Sequence, residues 1–162
     1  MFPIDTGGRE ARGGPSAEGT NINVPLPPGT GDDGYLYAID QVVVPALDAF
    51  RPEFLLVVAG VDASMYDPLS TFALTAAGFA SVAERLIHAG ERHAAGRIVF
   101  EQEGGYSPVY APFCWLALLE TLAGAPRSED PFAPFLAGAG FTELAPHQRE
   151  HVDGLAAEFG LR

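Results

Sequence analysis

The sequence contains no lysine, because all nine of its basic residues are arginines. This excludes chemistry that needs a lysine side chain, such as a Schiff base or the phosphate contact of a Walker-type loop. Against these nine stand 21 acidic residues, and the formal net charge is −12. Since nucleic-acid binding requires a basic surface that replaces phosphate counterions, we expect no nucleic-acid partner. The negative charge is compatible with a cationic ligand and also favours solubility.

Cysteine is nearly absent. Cys114, the single one, lies in the apolar segment APFCWLALL, which favours a buried thiol in a reducing compartment over a nucleophile. The sequence also lacks an apolar run long enough to span a bilayer and a recognisable signal peptide. It therefore predicts a cytoplasmic protein with no membrane partner.

Apolar residues are plentiful, at 48% of 162 residues, which is enough for one domain with a substantial core. We expect one unit over 1–162, with a loop over 1–20, a core of sheet and helices over 21–124 and a helical tail over 125–162. Within these, the apolar patterns predict strands over 21–26, 54–60 and 96–106 and helices over 35–50, 74–93, 108–124 and 146–162.

Three of these segments carry more specific expectations. Asp32 and Asp33 are placed to cap the helix over 35–50, and Pro45 to kink it. The strand over 54–60 is a continuous apolar run, which is typical of a strand buried on both faces of a parallel sheet. The helix over 108–124 is expected to be largely buried.

Strands and helices alternate along the chain, which predicts an α/β fold with a parallel sheet flanked by helices. Ligands of such folds gather beyond the carboxyl ends of the strands. Asp62 and the EGGY turn at 103–106 both lie at such ends.

Two motifs match known signatures without the context that those signatures need. GTGDDG at 29–34 has the dinucleotide-binding spacing, but prolines precede it and two aspartates occupy the place of a pyrophosphate, so we interpret it as a helix start. HQREH at 147–151 has the inverted zinc-peptidase spacing, but it lies on a polar helix and is interpreted as surface. His88 and His93 are likewise expected to be ordinary helix residues.

Asp62 and Tyr106 form the stronger pair. A carboxylate at a strand end can bind a cation, and a tyrosine on a Gly-Gly turn can aim its hydroxyl at a substrate oxygen. From the pattern alone, Asp62 is equally a loop cap and Tyr106 equally an aromatic residue at the rim of a cleft.

Three segments resemble a known family: NINVPLPPGTGDDGYLYAIDQVVVPAL, FRPEFLLVVAGVDASMYDPL and GRIVFEQEGGYSPVYAPFCWLALLE. Their order, spacing and composition resemble the class II histone deacetylases, and among these the bacterial histone deacetylase-like amidohydrolases. The resemblance implies an arginase/deacetylase-like α/β fold of which this chain forms the C-terminal half.

The resemblance also implies roles for single residues. Asp62 matches the second zinc-binding aspartate, and Tyr106 matches the tyrosine that stabilises the oxyanion during hydrolysis of an acetyl amide. Phe2 and Leu69 match positions that line a narrow acyl-lysine tunnel, and Gly105 is expected to contact the substrate as well. The implied cofactor is Zn²⁺, and the implied substrates are acetyl-lysine, acetylpolyamine or similar amides.

The family's Asp-x-His zinc pair and its pair of proton-transferring histidines have no match in this chain. We therefore expect the isolated chain to be inactive. The alternative is a truncated, non-catalytic paralogue that acts as a binding or dimerising module through an exposed sheet edge. A third hypothesis, a nicotinamide-binding enzyme, follows from GTGDDG. It predicts cofactor binding in a titration, and we expect none.

Overall fold

The structure is a computed structural model, and it describes residues 6–136, 140 and 142–161. In chain order its helices and strands are α1 (Asp32–Ala38), α2 (Val44–Phe50), β1 (Leu55–Ala59), α3 (Ala76–Ala94), β2 (Ile98–Gln102), α4 (Ala111–Leu122), α5 (Ala133–Leu136) and α6 (Pro146–Glu158). A π-helical segment, Ile39–Val43, joins α1 to α2. No helix within the described residues has the length and apolar character that crossing a membrane requires.

The first helical stretch, residues 32–50, differs from expectation at its N-terminus. Near Pro45, where a kink was expected, the helix contains the π-helical segment Ile39–Val43, and the missing N–H of Pro45 removes a donor from the regular ladder of α-helical hydrogen bonds. Its N-cap is Gly31, with no side-chain cap. Asp32 instead accepts hydrogen bonds from the backbone N (2.8 Å) and Oγ1 (2.6 Å) of Thr75. Since Thr75 is the N-cap of α3, Asp32 ties two helix starts together.

The two strands pair in parallel, in a register that runs from Leu55 opposite Ile98 to Ala59 opposite Gln102. Within the described residues the sheet has these two strands alone, so both outer edges are unpaired. The strand predicted over 21–26 is wrong, because these residues are irregular in the structure. Pro25 removes a backbone donor within that short segment, which disfavours strand pairing there.

One face of the sheet packs on helices and the other is uncovered. A Cβ added to Gly90 of α3 would lie 3.4 Å from the Ile98 side chain, so α3 packs closely on β2. On the opposite face Leu56, Val58 and Val99 are 55%, 60% and 47% exposed. The expectation that β1 is buried on both faces is therefore wrong, because no described element covers this face.

The helix expected to be largely buried, α4, is likewise partly uncovered. Leu116, Leu119 and Leu122 are exposed, while Cys114 and Leu118 are buried. A largely buried α4 is therefore wrong for the described chain, although the Cys114 thiol is buried as predicted. That burial raises the pKa of the Cys114 thiol to about 12.

The buried residues form two hydrophobic clusters. The larger lies between the strand-end loops, α3 and α4, and consists of Val61, Leu74, Ala76, Phe79, Tyr110, Ala111, Cys114 and Leu136. The smaller packs α6 on the first helical stretch through Ala38, Val42, Val152, Leu155 and Ala156. The helical tail thus shares a core with the start of the domain.

A buried polar network crosses the larger cluster. The hydroxyl of Tyr110, which is fully buried, accepts a hydrogen bond from the Ala76 backbone N at 2.9 Å and donates one to Asp130 Oδ2 at 3.0 Å. Burial raises the pKa of Tyr110. Because both bonds use the hydroxyl, the network fixes the start of α3 against the loop before α5.

Candidate functional site

Asp62 lies just beyond the end of β1, beside the Gly-Gly turn that follows β2. Backbone hydrogen bonds from Glu103 N to Ala59 O (3.0 Å) and from Val61 N to Gly104 O (2.8 Å) continue the contact between the two chain segments past the strands. A Cβ on Gly104 would lie 2.6 Å from Asp62 Oδ2, so only glycine leaves space for this carboxylate. The turn and the aspartate therefore fit each other.

Tyr106 follows directly on this turn. Gly105 before it has φ +141°, a backbone conformation that favours glycine, and a Cβ there would also lie 2.6 Å from Val61 Cγ2. The backbone N of Tyr106 donates a hydrogen bond to Asp67 Oδ2 at 2.6 Å. Its side chain is 56% exposed, and its hydroxyl makes no hydrogen bond with the residues that the structure describes.

Asp62, Leu69 and Tyr106 line one cleft, of about 850 Å³, along the unpaired edge of β1. Tyr35 and Phe72 line it too, with their rings edge to face at 6.2 Å between centroids. The structure thus brings together three of the residues that the sequence singled out. Two of them, Asp62 and Tyr106, follow the carboxyl ends of the neighbouring parallel strands β1 and β2.

Of the other two predicted site residues, the structure describes one, Gly105. Gly105 lines a separate groove of about 450 Å³ beside Trp115 and Leu119 of α4. Phe2 lies outside the described residues. The substrate contacts that the resemblance implies for these two positions therefore stay predictions.

Asp62 contributes a carboxylate to the lining of the cleft. The Asp62 carboxylate accepts no hydrogen bond from the described residues, which leaves its oxygens available to a cation. Burial raises the pKa of Tyr35, and the negative charge of Asp62 raises it further. Tyr35 is therefore a neutral hydroxyl-bearing side chain beside an open carboxylate.

Sequence reasoning missed Tyr35, Phe72 and Asp67 as part of this site. Asp67 offered a local signal, since Asp-Pro favours a turn in which the aspartate binds the backbone two residues on. The structure contains that bond, from Leu69 N to Asp67 Oδ1 at 2.9 Å. The bond from Asp67 to Tyr106 had no such signal.

Asp62 does not make a metal site with the other residues described. No group of three or more His, Cys, Asp or Glu side chains able to hold a metal occurs among them. A catalytic zinc site needs about three protein ligands, so the described part of the chain does not fit a complete zinc site.

The histidines lie elsewhere. His93 bonds Asp48 at 2.6 Å, and His151 bonds the Pro25 carbonyl oxygen at 2.6 Å. His88 and His147 are exposed on α3 and α6. Within HQREH, Gln148 is buried and its Oε1 accepts a hydrogen bond from the Ala145 backbone N at 3.0 Å, so the motif lies only partly on the surface.

Residues 1–122 match the model of the histone deacetylase domain. The chain belongs to the histone deacetylase family. A histone deacetylase-like amidohydrolase of Pseudomonas aeruginosa is 41% identical to it over 99% of the chain and 43% of the relative. A probable deacetylase of Archaeoglobus fulgidus is 42% identical over 76% of the chain and 34% of the relative. The chain thus spans less than half the length of either relative.

A solved structure has a similar fold. The crystal structure of the HDA15 HD domain superimposes with a TM-score of 0.78 and 28% sequence identity, over 97% of this chain and 40% of that one. The family resemblance and the fold class expected from the sequence, a parallel sheet flanked by helices that forms part of a deacetylase domain, are confirmed.

Proposed function

We propose that this chain forms part of a zinc-dependent deacetylase that hydrolyses acetyl-lysine, acetylpolyamine or a related amide. The observation that supports the proposal most is the joint position of Asp62 and Tyr106 in one cleft, at the ends of adjacent strands, in a member of the histone deacetylase family. A cytoplasmic location belongs to the same proposal and rests on the single, buried Cys114.

Each residue has a proposed role. The Tyr106 hydroxyl donates a hydrogen bond to the oxyanion that develops when the acetyl amide is attacked, and its exposure to the cleft suits this role. Asp62 contributes one carboxylate to a zinc site whose other ligands are not among the described residues. Leu69, Phe2 and Gly105 contact the acyl chain of the substrate.

A graft tests this function. In it, this chain replaces the matching part of the Pseudomonas aeruginosa amidohydrolase, over the 165-residue match. We expect the graft to bind zinc and hydrolyse an acetyl-lysine reporter, and to lose both properties with a chelator or with Asp62→Asn. The nearby exposed acid Glu103 supplies the matched control, Glu103→Gln, which should leave both unchanged. A folded graft that neither binds zinc nor hydrolyses the reporter contradicts the proposal.

The chain by itself should be inactive, because the described residues offer one candidate zinc ligand in the cleft. This is measured with the same reporter and with the zinc content of the purified 162-residue chain. Hydrolysis by the isolated chain that a chelator abolishes would show that its site is complete.

A second candidate function is a non-catalytic binding or dimerising module. The uncovered sheet face, defined by Leu56, Val58 and Val99, favours it, because burial of apolar area stabilises association by about 25 cal/mol per Å². Sedimentation velocity should then show self-association that Val58→Glu abolishes and that Phe135→Glu, at an exposed position on α5, leaves intact. A monomer at all concentrations contradicts this candidate.

A further inference from the structure

The geometry points to Asp67 as a positioning residue for Tyr106, one that fixes the tyrosine at the cleft through its backbone. The assignment goes beyond the roles proposed above and rests on the proposed function, because it concerns the placement of the oxyanion donor. Asp67 itself lies beneath the rim of the cleft and is 7% exposed.

Both carboxylate oxygens of Asp67 hold residues of the cleft. Oδ2 accepts a hydrogen bond from Tyr106 N at 2.6 Å, and Oδ1 accepts one from Leu69 N at 2.9 Å. Tyr106 is 39 residues away in sequence, so the side chain joins the loop after β1 to the loop after β2. One carboxylate therefore sets the positions of two cleft-lining residues relative to each other.

Asp67 is itself held in place. Its backbone N donates to Ser64 O at 3.0 Å, and its carbonyl oxygen accepts from Ser70 N at 3.2 Å. A buried carboxylate fixed in this way makes short, charge-assisted bonds to backbone N–H groups, which are stronger than neutral ones.

Tyr106 needs such an anchor because its own sequence context is loose. The Gly104-Gly105 pair before it has wide conformational freedom, and its side chain is mostly exposed. Among the described residues, Tyr106 is held by its backbone hydrogen bond to Asp67. Without it, the hydroxyl would sample positions away from the developing oxyanion, and a small misplacement of a catalytic group greatly lowers the rate.

Asp130 supplies a matched control. It too accepts a bond from the backbone N two residues on, Phe132 at 2.9 Å, and a second bond from a distant residue, the Tyr110 hydroxyl at 3.0 Å. It does not line the cleft. Loss of Asp130 therefore reports the cost of losing a bridging carboxylate without touching Tyr106.

Amide hydrogen exchange in the 162-residue chain tests the contact itself. We expect D67N, which offers one acceptor to two amide donors, to raise the exchange rate of the Tyr106 amide by about tenfold or more. D67S is more selective, because a serine hydroxyl still accepts from the amide two residues on but is too short to reach Tyr106. D130N should leave the Tyr106 amide protected, and circular dichroism checks that each variant folds. A Tyr106 amide that is unprotected in wild type, or equally protected in D67N and D67S, overturns the assignment.

A double-mutant cycle in the graft tests the role. Single-turnover rates should fall about tenfold or more in D67S, with little change in KM, and D67S should cause no further loss when Y106F is already present. D130N should lower stability without this loss of rate. Additive effects of D67S and Y106F would overturn the assignment, since a merely structural role acts independently of the hydroxyl. An inactive wild-type graft would instead contradict the proposed function, and the exchange rates would then decide the link from Asp67 to Tyr106.

Discussion

The cleft and the buried network around Tyr110 use the same kinds of side chain in opposite ways. Tyr106, at the rim, has an exposed hydroxyl without a bond to described residues, whereas Tyr110 is fully buried and bonded through its hydroxyl to Ala76 and Asp130. The two tyrosines lie close together in sequence, on the loop that leads from β2 into α4. Their difference shows that this part of the chain fixes one tyrosine in the core and leaves the other open to the cleft.

The aspartates repeat the contrast. Asp32 has both oxygens bonded to Thr75, whereas the Asp62 carboxylate accepts no hydrogen bond from the described residues. Side chains bonded in the interior contribute to folding, and polar groups left open in a cleft are candidates for chemistry. Substitution of a bonded side chain should therefore affect stability, and substitution of an open one should affect activity.

Of the two tyrosine substitutions, the larger effect is expected from Tyr106→Phe in the graft. Removing the proposed donor to the oxyanion should lower kcat by roughly 10²–10³-fold, equivalent to about 3–4 kcal/mol. The free energy of unfolding should change by less than about 0.5 kcal/mol, because the hydroxyl is exposed. Single-turnover kinetics and urea denaturation measure the two quantities. A large loss of stability would place Tyr106 with the buried network.

Tyr110→Phe should show the reverse pattern. It leaves the Ala76 N–H and the Asp130 carboxylate without the partner they share, which should cost about 1–3 kcal/mol of unfolding free energy. Urea denaturation of the 162-residue chain measures this loss. Stability equal to that of wild type would mean that the network contributes no rigidity.

Asp32→Asn should change the pH dependence of stability. Burial raises the folded-state pKa of Asp32 above its ordinary 3.8, so the folded chain binds this proton more tightly than the unfolded chain. The stability that the protonated form contributes is fully present below the unfolded-state pKa and is lost as the pH rises through the raised folded-state pKa.

The amide of D32N carries no charge and can still bond both Thr75 groups. The unfolding free energy of D32N minus that of wild type should therefore increase as the pH rises from about 4 to about 7. Urea denaturation of both proteins across this range measures the difference. A difference that decreases with rising pH would show that the hydrogen bonds from Thr75 outweigh the burial of the charge.

The smallest effect on stability is expected from Asp62→Asn. Its carboxylate has no bond in the described structure to lose, so the unfolding free energy should stay within about 0.5 kcal/mol of wild type. The pKa of Tyr35 should fall slightly, because the charge of Asp62 contributes to raising it. Thermal denaturation and a tyrosine titration followed by NMR measure these changes. Clear destabilisation would favour Asp62 as a loop cap.

Local pattern predicted most of the fold. The amphipathic period of α3 and the branched apolar run of β1 needed only neighbouring residues, and the strand-end rule placed Asp62 and Tyr106 at one edge of the sheet. The prediction that β1 is buried on both faces was wrong. An apolar run indicates that a strand favours apolar contacts, but it does not indicate which elements cover the strand.

The rest of the site depends on contacts between distant residues. The bond from Asp67 to the Tyr106 backbone spans 39 residues. Its donor is a backbone N–H, which every residue except proline has, so the residue type does not indicate the bond. The bond from Asp32 to Thr75, which replaced the predicted helix cap, spans 43. The position of Gly105 is likewise set by its close packing against Val61 and α4. Hydrophobic periodicity carries no information about such a contact.

The buried Cys114 has a practical consequence for spectroscopy. Reagents such as maleimides attack the thiolate, and a pKa of about 12 together with complete burial leaves almost none of it in the folded chain at neutral pH. A cysteine introduced at Val58 or Leu69 would then be the position that reacts. Fluorescent or spin labels could thus be attached to the open sheet face or to the cleft one at a time, without first removing the native thiol.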